Sequence, residues 1–284
     1  MNKIDNFVFI IGAMKCGTTS LFEYLAQHPQ ISPCTQKEPN FFSNEDRWNR
    51  GFEWYFNLWE WQPSTHKIAL EASVNYSKIH RFPYAASRIA SLNATCKFIY
   101  IVRDPLDRIE SHYVHGVANR WEGCDGKSIK NKTIIELEDL IETSKYAKQL
   151  TPYTQLFSKE NILIVSFEDL KNNRRDLLKR VYNFLNIQSN YEFELNQVYN
   201  QNKGRTADHA LYFYLKKNRI IRDLFKVIPS NLKQQIRYRM RHKVDVDAKL
   251  SQHQKKLILN ELESDLTQLR HKYDFYKFPE NDTY

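Results

Sequence analysis

The sequence predicts an α/β fold built on a central, mostly parallel sheet flanked by helices, and three observations carry that expectation. Apolar, β-branched runs recur at residues 6–11 (NFVFII), 97–102 (KFIYIV) and 161–166 (NILIVS), each with the length and continuity of a strand buried on both faces. A polar cluster and then a helix-period stretch follow each run, and strands alternating with helices close right-handed crossovers into a parallel sheet. With 284 residues, 42% of them hydrophobic, the chain is long enough to bury a core of that kind. Glycine is scarce, and there is no Ser/Gly- or Pro-rich linker and no internal repeat, so residues 1–284 are expected to form a single domain.

The first run ends at Gly12 rather than at a small-residue cleavage site, so it reads as a strand and not as a signal peptide. Residues 18–27 read as a helix with Leu21, Phe22 and Leu25 on its apolar face and Thr18 or Thr19 near the N-cap. His28-Pro29 stops it, with His28 expected to cap the last carbonyls. Residues 31–32 suit a short second strand, followed by the loop 37–42 (KEPNFF). The dense aromatic group Trp48, Trp54, Tyr55, Phe56, Trp59 and Trp61 is expected to pack rather than to stack on sugar rings. After KFIYIV come Arg103-Asp104-Pro105 and a helix through Tyr113; after NILIVS come FEDL (167–170) and a helix over 174–185. The polar clusters therefore fall at the carboxyl ends of strands, where parallel sheets bind ligands.

Charge is uneven. Residues 216–243 hold ten Lys/Arg against one acid, Asp223, and this excess equals the whole formal charge of +9. Ile221, Leu224, Phe225 and Ile228, then Leu232, Ile236 and Met240 after Pro229, give two amphipathic helices inside a basic helical segment, residues 206–250. A solvated face, attraction of an anionic glycan and a peripheral seat on an anionic membrane are its open readings. Nucleic-acid binding would rest on this segment alone. No apolar stretch approaches the ~20 residues of a membrane-spanning helix. Cys16, Cys34, Cys96 and Cys124 are widely spaced without a CxxC pair, which predicts neither a zinc site nor a disulfide framework but reduced thiols in a cytoplasmic protein. Cys16 is expected to pack rather than to act as a nucleophile.

Gly12-Ala-Met-Lys15-Cys-Gly17-Thr18-Thr19 joins a strand to a helix, as a phosphate-binding loop does, and can aim backbone N–H groups and a helix N-terminus at an anion. The expected architecture is accordingly P-loop-like and three-layered. The loop departs from the triphosphate pattern G-x-x-x-x-G-K-[ST], because lysine precedes the second glycine and Thr18 stands where that motif has its lysine. Arg103 also follows KFIYIV where a kinase or NTPase, the alternative reading, needs an acid for Mg²⁺. A lysine in the loop and an arginine on the neighbouring strand end suit an anion bound without metal, and a phosphosulfate is such an anion.

KCGTTSL after a strand, KEPNFF about twenty residues on and IVRDPLDRIESHY resemble the sulfotransferases that use 3'-phosphoadenosine-5'-phosphosulfate (PAPS), in particular the heparan-sulfate-type and bacterial carbohydrate branch. SKYAKQL from Ser144, FEDL at Phe167 and NKGR at Asn202 extend the resemblance over most of the chain. It implies transfer of a sulfuryl group from PAPS, with 3'-phosphoadenosine-5'-phosphate (PAP) as product and no metal, to a hydroxyl or amine of a carbohydrate or glycolipid. Lys15, Cys16, Gly17, Thr18, Thr19 and Ser20 match the loop that holds the 5'-phosphosulfate. Arg103 and Ser111 match the pair that binds the 3'-phosphate, and Lys203, Gly204 and Arg205 match a late loop closing over the donor. In-line displacement leaves charge growing on the departing oxygen, which Lys15 is expected to stabilise. Glu38 matches the family's general base, with His112 as rival, and Lys37 is expected to meet the sulfate or the acceptor. Residues 71–76 resemble a segment lining the cleft, although the family often has Pro where Val74 stands.

Overall fold

A computed structural model of the chain describes residues 4–189, 191, 206–208, 241–243, 245–275 and 278. Its centre is a five-stranded, wholly parallel sheet in the order β2-β3-β1-β4-β5. The strands are β1 (Asn6–Gly12), β2 (Ile31–Pro33), β3 (Ile68–Ala72), β4 (Thr95–Val102) and β5 (Ile162–Ser166). Helices α1 (Thr18–Leu25), α2 (Glu45–Trp48), α3 (Gly51–Phe56), α4 (Ala85–Ala90), α5 (Pro105–Asn119), α6 (Glu138–Glu142), α7 (Tyr146–Leu156), α8 (Phe167–Asn172), α9 (Arg174–Leu185) and α10 (Gln252–Tyr273) flank it. The expected parallel α/β architecture is thus present, and the reason lies in the runs themselves. Phe7 to Ile11 of β1 and Phe98 to Val102 of β4 are buried without alternation, which only a sheet covered on both faces allows.

Strand β3 escapes the apolar-run criterion, because Ala and Glu are poor strand formers and Glu71 reads as a surface position. All five of its residues are nevertheless buried. β1 lies between β3 and β4, in register Phe7 with Ala69 on one side and with Cys96 on the other. The crossover from β1 runs to β2 on one side of the sheet and that from β3 runs to β4 on the other, which makes the carboxyl ends of the adjacent β1 and β3 the switch point of the sheet.

Two local expectations are corrected. Neither Thr18 nor Thr19 caps α1; the N-cap is Gly17 in a left-handed conformation (φ 89°), and both threonines already lie within the helix. A side chain at Gly17 would be strained twice over, since a Cβ there would also meet the Phe167 ring at 2.9 Å. His28 does not cap the α1 carbonyls. Its Nδ1 accepts the Gln30 N–H at 3.1 Å, so Nε2 carries the proton and donates to the Gln188 carbonyl at 3.0 Å. Burial lowers its pKa and keeps this bridging ring neutral.

Helix α5 runs past Tyr113 to Asn119, started by the Asp104 side chain accepting the Asp107 N–H with Pro105 in the first turn, and ended by Arg120 at φ 55°. α9 covers the expected 174–185. The aromatic residues pack as expected: Phe41 stacks on Tyr55 at 4.5 Å, and Trp59 meets Phe7 edge-on at 5.5 Å. They weld α3 and the 41–42 turn to β1.

Helix α10 opens with a capping box between Ser251 and Gln254 and packs against α7. The buried Asp265 carboxylate of α10 accepts the Ala147 and Lys148 N–H groups, which the first turn of α7 cannot satisfy itself. Asp265→Ala is expected to destabilise the fold by about 1–3 kcal/mol, the consequence of leaving such donors buried and unmet. A urea melt of variant and parent measures it.

At the edges of the basic segment the helical expectation is corrected. β6 (Thr206–Asp208) and β7 (Arg241–Lys243) pair antiparallel, Thr206 opposite Lys243 and Asp208 opposite Arg241. The helix-period apolar positions span only 221–240, so neither edge belongs to that pattern. The two helices and the membrane or nucleic-acid surface read from 216–243 otherwise lie outside the described residues. Among the described residues no helix is long and apolar enough to cross a membrane.

Candidate anion-binding and transfer site

The loop after β1 is stapled on both flanks. The Ala13 N–H donates to the Ile101 carbonyl at 2.7 Å, and the Met14 carbonyl accepts from Arg108 Nη1 at 3.4 Å. Lys15 sits at φ 71°, a left-handed conformation that a lysine holds only where its surroundings fix it, and such strain concentrates at functional sites. Gly17 then turns the chain into α1, whose first-turn N–H groups and positive dipole end face the same loop. Thr18 is buried; Lys15, Gly17, Thr19 and Ser20 are half-buried. Cys16 is fully buried, with burial pushing its thiol up to about 12. A protonated thiol packed near Met14 and Tyr146 is no nucleophile, as expected.

Arg103 leaves the end of β4 with its side chain 14% exposed, and one terminal nitrogen pairs with Asp107 at 2.9 Å. Its guanidinium lies over the Phe167 ring at 4.9 Å, while its buried Nε has no hydrogen-bond partner among the described residues. Phe167 begins the FEDL turn after β5 and is the ring that abuts Gly17. One aromatic side chain thus ties together the ends of β1, β4 and β5. Ser111 is half-buried two turns into α5, on the helix that Arg103 introduces.

Glu38 follows β2, where its N–H donates to the Ala72 carbonyl at 3.0 Å, and its carboxylate is 37% exposed. Glu38 and Asn40 have φ of 56° and 49°. Arg47 holds this contorted turn by donating to the carbonyls of Pro39 and Glu38. Lys37 pairs with the Glu38 carboxylate at 3.1 Å.

Two cations were not legible as site residues. Arg108 is wholly buried: Nε donates to Ser144 Oγ at 2.7 Å, Nη2 to the Leu140 carbonyl and Nη1 to His112 Nδ1 at 2.9 Å. Lys78 is 5% exposed, and its ammonium lies 5.5 Å from the centre of the Trp121 ring. Burial pushes Lys78 down to about 8, and Asp139 and Glu38 are the anions that oppose this. A lysine in a 3₁₀-turn exit carries no sequence mark of burial, whereas the pairing of Arg108 with Ser144 joins the IVRDPLDR and SKYAKQL segments in space. Tyr146 of the same motif donates to the Arg103 carbonyl at 2.7 Å.

The Arg108 contact also weighs against the rival base. A guanidinium only donates, so His112 Nδ1 accepts and its proton sits on Nε2, which is buried without a partner among the described residues. Burial, then Arg108, hold its pKa well below the ordinary value. His112 is left with no free lone pair for an acceptor proton. Lys203, Gly204 and Arg205 lie outside the described residues; the strand directly after them, β6, packs against α5.

Residues 5–244 match the family model of the sulfotransferase domain. The chain belongs to the sulfotransferase domain family. It is 30% identical over 202 residues to the mouse heparan sulfate glucosamine 3-O-sulfotransferase 3B1, covering 69% of this chain and 49% of the relative. To the mouse bifunctional heparan sulfate N-deacetylase/N-sulfotransferase 4 it is 27% identical over 219 residues, 69% of this chain and 24% of the relative. The chain thus spans from a quarter to about half the length of these curated relatives. Among solved structures, a sulfotransferase from Alicyclobacillus acidocaldarius aligns with a TM-score of 0.55 at 26% identity, over 69% of this chain and 86% of that one. For a sulfotransferase domain, lysine ahead of the second loop glycine and arginine at the β4 end replace the metal-holding pattern of the kinase alternative.

Proposed function

We propose that this sulfotransferase domain moves a sulfuryl group from PAPS to a hydroxyl or amine of a carbohydrate, releasing PAP. The observation that carries the reading is Arg103, a half-buried guanidinium at the β4 end whose Nε–H has no partner among the described residues, beside the strand-to-helix loop after β1. The residues fit the donor: the 12–20 loop suits the 5'-phosphosulfate, Arg103 and Ser111 the 3'-phosphate, and Lys203, Gly204 and Arg205 the closing contact. The bridging bond from sulfur to the phosphate oxygen breaks as the acceptor atom bonds to sulfur. Lys15 offsets charge on the departing oxygen, Glu38 takes the acceptor's proton, and Lys37 holds Glu38 toward the cleft. Heparan sulfate in the names of the relatives points to a glucosamine-containing glycan. Four free, buried thiols support a reducing, cytoplasmic setting.

Calorimetry tests the donor: PAP is expected to bind at micromolar concentration without Mg²⁺, and ATP with Mg²⁺ far more weakly. Arg103→Glu is expected to weaken PAP by at least ~100-fold, in line with the about 2–5 kcal/mol that follows loss of one partner of a buried charge pair. Unchanged PAP affinity in that variant overturns the assignment. Labelled PAPS with N-deacetylated heparan sulfate, heparan sulfate and a glycolipid panel then separates amine, hydroxyl and lipid-linked acceptors.

A further inference from the structure

Beneath the loop that carries Glu38 lies a carboxylate the transfer chemistry does not use. Glu71 stands near the end of β3 with no exposed surface. Three hydroxyls converge on it: Tyr55 of α3 donates to Oε2, Ser73 Oγ donates to Oε1 at 2.8 Å, and Tyr76 adds its own hydrogen bond. Two of these also touch the loop. Ser73 Oγ accepts the Asn40 N–H at 3.1 Å, and the Tyr76 hydroxyl oxygen accepts the Phe42 N–H at 3.4 Å. One residue further along, the Ala72 carbonyl takes the N–H of Glu38 itself.

A hydroxyl has one proton, and once it is given to a carboxylate only lone pairs remain for other partners. An ionised Glu71 accepts and cannot donate, so it turns the Ser73 and Tyr76 protons inward and their lone pairs out toward the loop. We infer that Glu71 is a positioning residue: through Ser73 and Tyr76 it fixes the 38–42 turn, and with it the direction of the Glu38 carboxylate. The inference rests on the reading of Glu38 as the proton acceptor. The turn needs such bracing, because Glu38 and Asn40 both hold left-handed backbones, which asparagine tolerates but glutamate rarely adopts.

The protonation state of Glu71 therefore matters. Burial lifts its carboxyl to about 7, with Tyr55, Tyr76 and Ser73 pulling the other way. The remaining titratable groups it acts on are Cys34, beyond β2, and Tyr153 of α7, both neutral at working pH because burial pushes each up. When Glu71 takes a proton it gains a donor, and where Ser73 or Tyr76 accepts that proton, the hydroxyl turns its own proton toward a loop N–H. Two effects follow with opposite signs. Because the folded carboxyl titrates above its ordinary value of 4.5, its contribution to stability is greatest at acid pH and is lost as pH rises toward about 7. Order in the 38–42 turn increases over the same rise.

Hydrogen exchange of the whole chain between pH 5.5 and 8.5, corrected for intrinsic rates, reads the turn directly. Protection of the peptide covering 38–42 is expected to increase through about pH 7 in the parent. In Glu71→Gln, whose amide donates on one side, it is expected to be flat and at least ~10-fold lower at pH 8, with β1 and β4 peptides unchanged. That variant is also expected to lose the fall in Tm between pH 5 and pH 8, to bind PAP as the parent does, and to turn over N-deacetylated heparan sulfate or heparan sulfate ~10-fold more slowly through kcat. Ser73→Ala, which removes one loop contact and leaves Glu71 in place, is expected to loosen the same peptide if Glu71→Gln does not fold. Equal turn protection in the parent and in both variants overturns the inference, as does loosening spread evenly over the sheet. If Glu38→Gln retains turnover while the turn still responds to Glu71, the proton-acceptor reading fails and the bracing stands.

Discussion

Glu38→Gln is expected to lower kcat by ~100- to 10,000-fold, the range a positioned general base supplies, with PAP affinity unchanged. The amide keeps the size of the side chain and can still face Lys37, but it cannot take a proton. Donor binding is spared because Glu38 lies after β2, whereas the anion-binding loop and Arg103 follow β1 and β4. Stopped assays with labelled PAPS, read beside PAP calorimetry, separate the two. His112→Gln provides the contrast. His112 has its lone pair engaged by Arg108, so its replacement is expected to disturb packing around the 12–20 loop and to lower stability before it touches the chemistry. A variant pair in which His112→Gln abolishes turnover in a folded protein and Glu38→Gln does not reverses the assignment.

What was legible in the sequence divides along a physical line. Strands β1 and β4 announce themselves because a strand buried on both faces must be apolar throughout, and β5 shares their apolar run although Ile162, Leu163 and Ile164 at the sheet edge are only half-buried; the polar residues that end them mark the ligand side of the sheet. Lys15 and Arg103 stand out as candidates because they follow β1 and β4, and Glu38, after β2, because the KEPNFF segment resembles the family's. β3 was missed for the reason that gives it its role: a carboxylate in the strand reads as surface, and only Tyr55, sixteen residues earlier, and Ser73 and Tyr76, just after it, allow its burial. The same blindness hid Arg108 and Lys78, whose charges are satisfied by two backbone carbonyls, a serine and an imidazole in one case and an aromatic face in the other. Sequence periodicity records which faces are apolar; it does not record which polar groups find partners in the interior. Helix α10 is different, since its capping box and its apolar positions Ile258, Leu262, Leu266 and Leu269 were there to be read.

Lys15→Met is expected to reduce kcat by ~100- to 1,000-fold, about 2.7–4 kcal/mol, the loss seen when one preorganised donor to a developing anion is removed. The argument turns on when the interaction is made. In the bound donor the bridging oxygen carries little charge, and on the proposed reading the backbone N–H groups of the loop and of the first turn of α1 already hold the phosphate. Charge appears on that oxygen only as the bond to sulfur breaks, so an ammonium placed there stabilises the transition state more than the ground state. PAP affinity in Lys15→Met is accordingly expected to fall much less than kcat. The left-handed backbone at this position sharpens the test. Lys15→Gly relieves the strain, and is expected to fold at least as stably as the parent while remaining as slow as Lys15→Met. If PAP affinity and kcat fall in equal proportion, Lys15 serves donor binding alone, and the stabilisation of the departing oxygen has to come from the loop N–H groups.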